Sequence, residues 1–348
     1  MASSVLDKTA IRAVDSTSQF SETLDLSTHL LDALWRIESA GIAPAEAQGG
    51  YVVAGMGGSG VGGRLALGAI GDRLRRPMVV AQGYHLPAWV GDDVLVLVSS
   101  YSGGTEEALS CYDDAKRRGA RRVVATTGGE LAERARADRV PVVPLPGGFQ
   151  PRAAVGYATV VALELAALCG VAPSLRAEVE AAAVLVERLA GEWGPAGSED
   201  NEAKALARRF HATIPVVVGA EMTAAVAYRW KSQLNENAKL PAFASEIPEA
   251  GHNEVCGWPA ADGRLGAVLL SEPGLHERNR RRMELTGRLI ADAGAPVASV
   301  EAKGGSVVER MFSLILLGDL VSLYCAVLRG VDPVEIAMID RLKSELAD

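Results

Sequence analysis

The sequence predicts an α/β protein made of two tandem, doubly wound parallel-sheet domains. Three observations carry this reading. Short apolar runs alternate with longer helical patterns, the order that produces βαβ units and parallel sheets. Glycine- and serine-rich turns follow two of the early strands, at 55–63 and 99–105. The alternation lapses near residues 170–200 and then restarts at Ile214. With 348 residues and 49% hydrophobic content, the chain can bury sizeable cores in about two domains.

The elements follow in order. Residues 1–19 form a weakly patterned N-terminal extension, and the first domain spans 20–170. Ser21 to Glu38 places Leu24, Leu26, Leu30, Leu31, Leu34, Trp35 and Ile37 at helical spacing. Tyr51-Val52-Val53-Ala54 is a strand, and the glycine run Gly55–Gly63 opens onto a helix at Arg64. Pro77–Ala81 and Asp93–Val98 are strands, the second buried on both faces by its unbroken apolar run. A helix over Glu106–Arg118, a strand over Val123–Thr127, a helix over Glu130–Arg136 and a short strand from Val140 to Leu145 complete the sheet. An apolar helix, Ala154–Leu168, closes the domain. Residues 171–199 read as a helical linker containing a helix from Glu178 to Trp193. The second domain, 200–348, has strands at Ile214–Val218, Leu265–Leu270 and Pro296–Glu301. Its helices are Thr223–Lys239, Arg278–Ala293, Val307–Leu328 and Ile336–Leu346. It lacks the glycine-serine loops of the first, so the pair reads as a degenerate repeat with one loaded half.

Charge and cysteine usage narrow the function classes. The formal net charge is −8, and the short Arg280-Arg281-Arg282 run lies inside a helical pattern, so no nucleic acid is expected as a partner. Cys111, Cys169, Cys256 and Cys325 are scattered without metal-ligand spacing, which fits a reducing cytoplasm and no bound metal. Residues 1–25 lack the apolar core of a signal peptide. No stretch is read as a membrane span, because Glu309, Arg310 and Asp319 interrupt the long apolar helix near the C-terminus.

The chemistry concentrates in four places. Gly55-Met56-Gly57-Gly58-Ser59-Gly60 follows a strand and opens a helix, so bare amides there point at an anion. The same glycine spacing occurs in dinucleotide sites, but those need a carboxylate at the end of the next strand. That strand ends Ala81-Gln82-Gly83-Tyr84, which argues against a dehydrogenase. Ser100-Tyr101-Ser102-Gly103-Gly104-Thr105 offers hydroxyls and amides at a second strand-to-helix turn. The bland alternative is ordinary capping by Thr105, with Glu106 and Glu107 favouring the helix dipole. Two such loops, on the first and third strands of one sheet, converge on one crevice and favour a phosphate. Arg152, after Pro151 in a glycine-rich loop, is either an oxyanion partner or a solvated surface residue. Asn235-Glu236-Asn237-Ala238-Lys239 ends a helix, and His252 lies on a connecting segment beyond Pro241 and Pro248. Glu236 and His252 suit a general base and a second acid/base group. Lys343, in the last helix, is solvated by the bland reading.

These motifs, together with Gln150-Pro151-Arg152-Ala153-Ala154 and His252-Asn253-Glu254, resemble the bifunctional phosphoglucose/phosphomannose isomerase family. Its members carry two sugar-isomerase (SIS) domains of flavodoxin-like architecture. The resemblance extends in order over nearly the whole chain after about residue 20. It implies that Gly57, Gly58, Ser59, Ser100, Ser102 and Thr105 hold the phosphate of a hexose 6-phosphate. It implies further that His252, helped by Lys343, opens the sugar ring, that Glu236 moves a proton between C2 and C1, and that Arg152 stabilises a cis-enediolate. It implies a homodimer in which His252 serves the partner's site, with no metal or cofactor. The reaction expected is interconversion of fructose 6-phosphate with glucose 6-phosphate and mannose 6-phosphate. A non-catalytic phosphosugar-binding protein and an isomerase of another phosphosugar are the alternatives. Two positions depart from the family pattern: Gly104, where Asn is usual, and Val334-Glu335, where Thr-Pro is common.

Overall fold

A computed structural model describes residues 6–261 and 263–347. In chain order the helices and strands are α1 (Lys8–Val14), α2 (Gln19–Leu24), α3 (Leu26–Ser39), β1 (Gly50–Ala54), α4 (Gly57–Ile70), β2 (Met78–Ala81), β3 (Val94–Ser99) and α5 (Glu106–Arg117). They continue with β4 (Arg121–Thr126), α6 (Gly129–Ala137), β5 (Val142–Pro144), α7 (Val155–Leu168), α8 (Arg176–Trp193) and α9 (Glu202–Phe210). The remainder is β6 (Ile214–Ala220), α10 (Met222–Ala238), β7 (Phe243–Ile247), β8 (Leu265–Ser271), α11 (Glu277–Asp292), β9 (Val297–Glu301), α12 (Val307–Arg329) and α13 (Ala337–Ala347).

Two compact units result, and neither is one continuous segment. The first comprises Asp25–Glu187 with Lys303–Ser313, and the second Met1–Leu24, Arg188–Ala302 and Leu314–Asp348. The stretch 171–199 is occupied mostly by α8, whose residues divide between the units at 187/188.

In the first unit a five-stranded, wholly parallel sheet has the order β2-β1-β3-β4-β5. This is the flavodoxin-like order, in which the chain reverses its direction of growth between β1 and β3. Helices that follow these two strands leave toward opposite faces, and a crevice opens at their carboxyl ends. Val94–Val98 of β3 is fully buried, as expected for a central parallel strand. In the second unit a four-stranded parallel sheet has the order β7-β6-β8-β9, the same winding without a fifth strand.

Three expectations need correction. Gly55–Gly63 is not a loop leading to a helix at Arg64, for α4 begins at Gly57 and the glycines form its first turns. They are small because other groups approach closely: a Cβ on Gly62 would meet the Ala158 Cβ at 2.5 Å. His252 does lie on a connecting segment, in a 3-10 turn over Glu249–His252, but a parallel edge strand, β7, precedes it where none was expected. Finally, α12 is long and apolar enough to cross a membrane, with a mean hydropathy of 2.1 over its most apolar window. That window is entirely buried within the protein, so the helix has the surroundings of a core helix. Its one buried acid, Asp319, is held by Arg229 of α10 at 2.5 and 3.0 Å.

Candidate active site

The first unit supplies two helix starts at the switch point. β1 and β3 pair directly, with Ala54 opposite Val98, so the turns that follow them leave at the same level. They are in contact: a Cβ on Gly55 would meet the Ser99 carbonyl at 2.6 Å. α4 begins with Gly57 at φ +51, a conformation that favours glycine, and its N-cap residue, Met56, supplies no side-chain hydrogen bond. Ser59 lies buried in the first turn of α4.

The turn after β3 is organised around a pair of hydroxyls. Ser100 is buried, and its Oγ lies 2.9 Å from the Thr105 Oγ1 while accepting the Gly103 amide at 3.1 Å. Thr105 occupies the N-cap of α5 but makes no side-chain cap bond. The bland capping reading therefore has the position right and the hydroxyl's partner wrong. Both helix starts leave their first amides to some other acceptor, which is the electrostatics of an anion site. Gly103 sits at φ +70, and a Cβ there would fall 1.9 Å from the Gly128 carbonyl, so only glycine fits. Ser102 is exposed, and its Oγ accepts the Gly104 amide at 3.3 Å. Gly104 departs from the family pattern without structural consequence, since a Cβ there would meet nothing within 4 Å. At the end of β2, Gln82 accepts a 2.6 Å hydrogen bond from Arg64 on α4. No acid stands there to receive a ribose.

Arg152 is 5% exposed in the turn that leads into α7, so the reading of a solvated surface arginine fails. The turn lies against the glycine loop, with the Pro151 carbonyl 2.8 Å and the Arg152 Cα 3.5 Å from where a Cβ on Gly58 would stand. A larger residue at 58 would push Arg152 away from the start of α4.

The second unit holds the carboxylate and the imidazole. Glu236 is half-buried near the end of α10. The residues around it are structural. Asn237 is buried and donates to Ser322 Oγ of α12 at 2.8 Å, and Asn235 donates to the Leu240 carbonyl at 2.9 Å. Lys239 closes the helix in the left-handed conformation, and its Nζ donates to the carbonyls of Glu236 at 2.8 Å and Asp332 at 2.6 Å. Asp332 in turn accepts the Val334 amide at 2.8 Å, so the departing Val334-Glu335 segment is tied to the same helix end. His252 is exposed at the end of its 3-10 turn. Its neighbours build the turn: Asn253 donates to Glu249 at 2.9 Å and accepts the Glu254 amide, and Glu254 accepts from Ser245 of β7 at 2.6 Å. Lys343 is exposed on α13. Among the described residues no group of three or more His, Cys, Asp or Glu side chains has the arrangement of a metal site.

Sequence reasoning overlooked Tyr101 and Asp332. Tyr101 stands between Ser100 and Ser102, and a bulky phenol inside a hydroxyl-rich turn was the available signal. Asp332 had none, because its link to the end of α10 runs through Lys239, 93 residues away.

Parallel sheets of this winding, with two helix starts that lack a side-chain cap at the switch point of the first, define a doubly wound α/β class of fold. In accord with this, tagatose-6-phosphate ketose/aldose isomerase from Escherichia coli superposes with a TM-score of 0.70 over 92% of this chain and 95% of that one, at 14% identity. Residues 199–346 match the family model described as the bacterial phospho-glucose isomerase C-terminal SIS domain. The bifunctional phosphoglucose/phosphomannose isomerase of Caldicellulosiruptor bescii is 39% identical over 85% of this chain and 89% of its own length. The Aquifex aeolicus protein of the same name is 36% identical over 85% of this chain and 90% of its own. The chain belongs to the bifunctional phosphoglucose/phosphomannose isomerase family, and is thus a phosphosugar isomerase.

Proposed function

We propose that the protein interconverts fructose 6-phosphate with glucose 6-phosphate and mannose 6-phosphate through a cis-enediolate, without a metal or cofactor. The observation that carries this is the 39% identity, spanning both units, to a relative named for both activities. The uncapped starts of α4 and α5 support assigning the phosphate to Gly57, Gly58, Ser59, Ser100, Ser102 and Thr105.

The remaining roles follow from what aldose–ketose isomerisation needs. His252 and Lys343 protonate and deprotonate the ring and chain oxygens as the hexose opens. Glu236 removes the proton from C2 and returns it to C1, while the proton on O2 moves to O1. Arg152 balances the negative charge of the enediolate. The exposure of His252, and of Phe243 at the start of the edge strand β7, supports a homodimer in which His252 serves the partner's reaction. The free thiols of Cys111, Cys169, Cys256 and Cys325 support a reducing, cytoplasmic location.

The test is NMR of the EDTA-treated protein with fructose 6-phosphate in deuterated water. Glucose and mannose 6-phosphate, each deuterated at C2, are expected. Glucose product alone would remove the mannose activity from the proposal. Phosphosugar binding with neither product nor exchange would replace it with a sensor.

A further inference from the structure

Arg152 is reached through Pro146–Arg152, a stretch that leaves β5 and enters α7 without regular structure and contains Gly147 and Gly148. Such a stretch has much backbone entropy to lose before it can hold a guanidinium still. The structure shows what restrains it. The Tyr101 hydroxyl donates to the Pro146 carbonyl at 2.9 Å and accepts the Phe149 amide at 2.9 Å, using both its donor and an acceptor on one loop. The Phe149 ring packs on His29, centroid to centroid 4.8 Å, and on Tyr157 at 6.2 Å. Past that point, the Pro151 carbonyl rests against Gly58.

Tyr101 is itself anchored. Its carbonyl accepts the Thr127 amide at 3.1 Å and the Thr127 hydroxyl at 2.8 Å, which fixes its backbone to the turn after β4. Its neighbours in sequence are Ser100 and Ser102. The phenol is therefore a strut of two torsions, rooted in the serine loop and ending on the arginine loop.

We propose that Tyr101 is a positioning residue that ties the arginine loop to the phosphate-binding serine loop and so fixes where Arg152 stands relative to the phosphate site. The proposal rests on the reading of Arg152 as the enediolate's partner. The two hydrogen bonds of its hydroxyl end on Pro146 and Phe149, both within six residues of Arg152.

The experiment is a double-mutant cycle of Tyr101→Phe and Arg152→Ala, with steady-state turnover of fructose 6-phosphate and inhibition by inorganic phosphate as readouts. Tyr101→Phe keeps the strut and removes both hydrogen bonds. It is expected to lower kcat about tenfold, since small misplacement of a charge-stabilising group is costly, while KM and the inhibition constant for phosphate stay within about twofold. In the Arg152→Ala background the same change is expected to have no further effect on kcat. Additive losses, an unchanged kcat, or an equal loss of phosphate affinity would each overturn the proposal. A variant that merely folds poorly would lose activity in both backgrounds and so counts against it. Full turnover by Arg152→Ala would instead refute the role of Arg152 itself, an outcome separate from failure of Tyr101→Phe alone.

Discussion

The hydroxyls of Ser100 and Thr105 lie 2.9 Å apart, and this pairing takes Thr105 off the helix it would otherwise cap. The start of α5 keeps unpaired amides as a result, and two hydroxyls stand preassembled beside them. The phosphate that the proposed function places there would be met by groups that need little reorganisation.

Ser100→Ala and Thr105→Ala should each raise KM for fructose 6-phosphate about tenfold, the scale of one charge-assisted hydrogen bond, with kcat largely kept. The double variant should cost less than the product of the two, because the residues share a bond. Steady-state kinetics check this. A fall in kcat at constant KM would remove the loop from phosphate binding.

Within Asn235–Lys239 the chemical and structural roles should separate by experiment. Glu236→Gln is expected to lower kcat by roughly 10²–10⁴-fold while unfolding at the wild-type urea concentration. Asn237→Ala removes the hydrogen bond that the buried Ser322 hydroxyl accepts, while that hydroxyl still donates to the Asp319 carbonyl, and should cost about 1 kcal/mol of stability. Proton–deuterium exchange at C2 and urea unfolding of both variants make the comparison.

Much of the frame was legible because central parallel strands are unbroken apolar runs, as in Val94–Val98. What escaped has identifiable causes. β7 reads Phe-Ala-Ser-Glu-Ile and lies at a sheet edge, half exposed, so it carries neither an apolar run nor a strong alternation. α9 opens among Asn201 and Glu202 directly after a polar loop, and its apolar face is only Ala203, Leu206, Ala207 and Phe210. Glycine content hid the start of α4, where tertiary closeness overrides helix propensity. The helix-start positions of Ser59 and Thr105 could be read because local turn chemistry dictates them. The division of labour around Glu236 could not, because the partner of Asn237 lies 85 residues away.

Gly318 of α12 should be irreplaceable. A Cβ there would stand 2.1 Å from the Trp230 Nε1, whose hydrogen bond to the Leu314 carbonyl at 2.8 Å holds the indole against the helix. Gly318→Ala is expected to cost about 1–3 kcal/mol or more through overpacking, despite alanine's better helix propensity. Urea unfolding gives the value, and an unchanged midpoint would contradict the packing described.

Asp138 should make stability pH-dependent at the acid end. Hydrogen bonds from Lys116, Arg122 and Tyr112 hold its carboxyl down at about 2, against an ordinary 3.8. The unfolded state therefore binds the proton first as pH falls, and the stabilisation is complete above the ordinary value and lost on descending to about 2. The difference in urea midpoint between wild type and Asp138→Asn should stay constant near neutrality and shrink steadily below about pH 4. A difference that grows on acidification would reverse the assigned sign.

The division of α12 between the units sets an order on the birth of the protein. The first unit's sheet has left the ribosome by Pro144, yet Lys303–Ser313, which belongs to that unit, emerges only after every strand of the second sheet. An N-terminal sheet can therefore pair its strands while the next unit is still being translated, but the last contacts of its unit wait for a segment made after every strand of the second sheet.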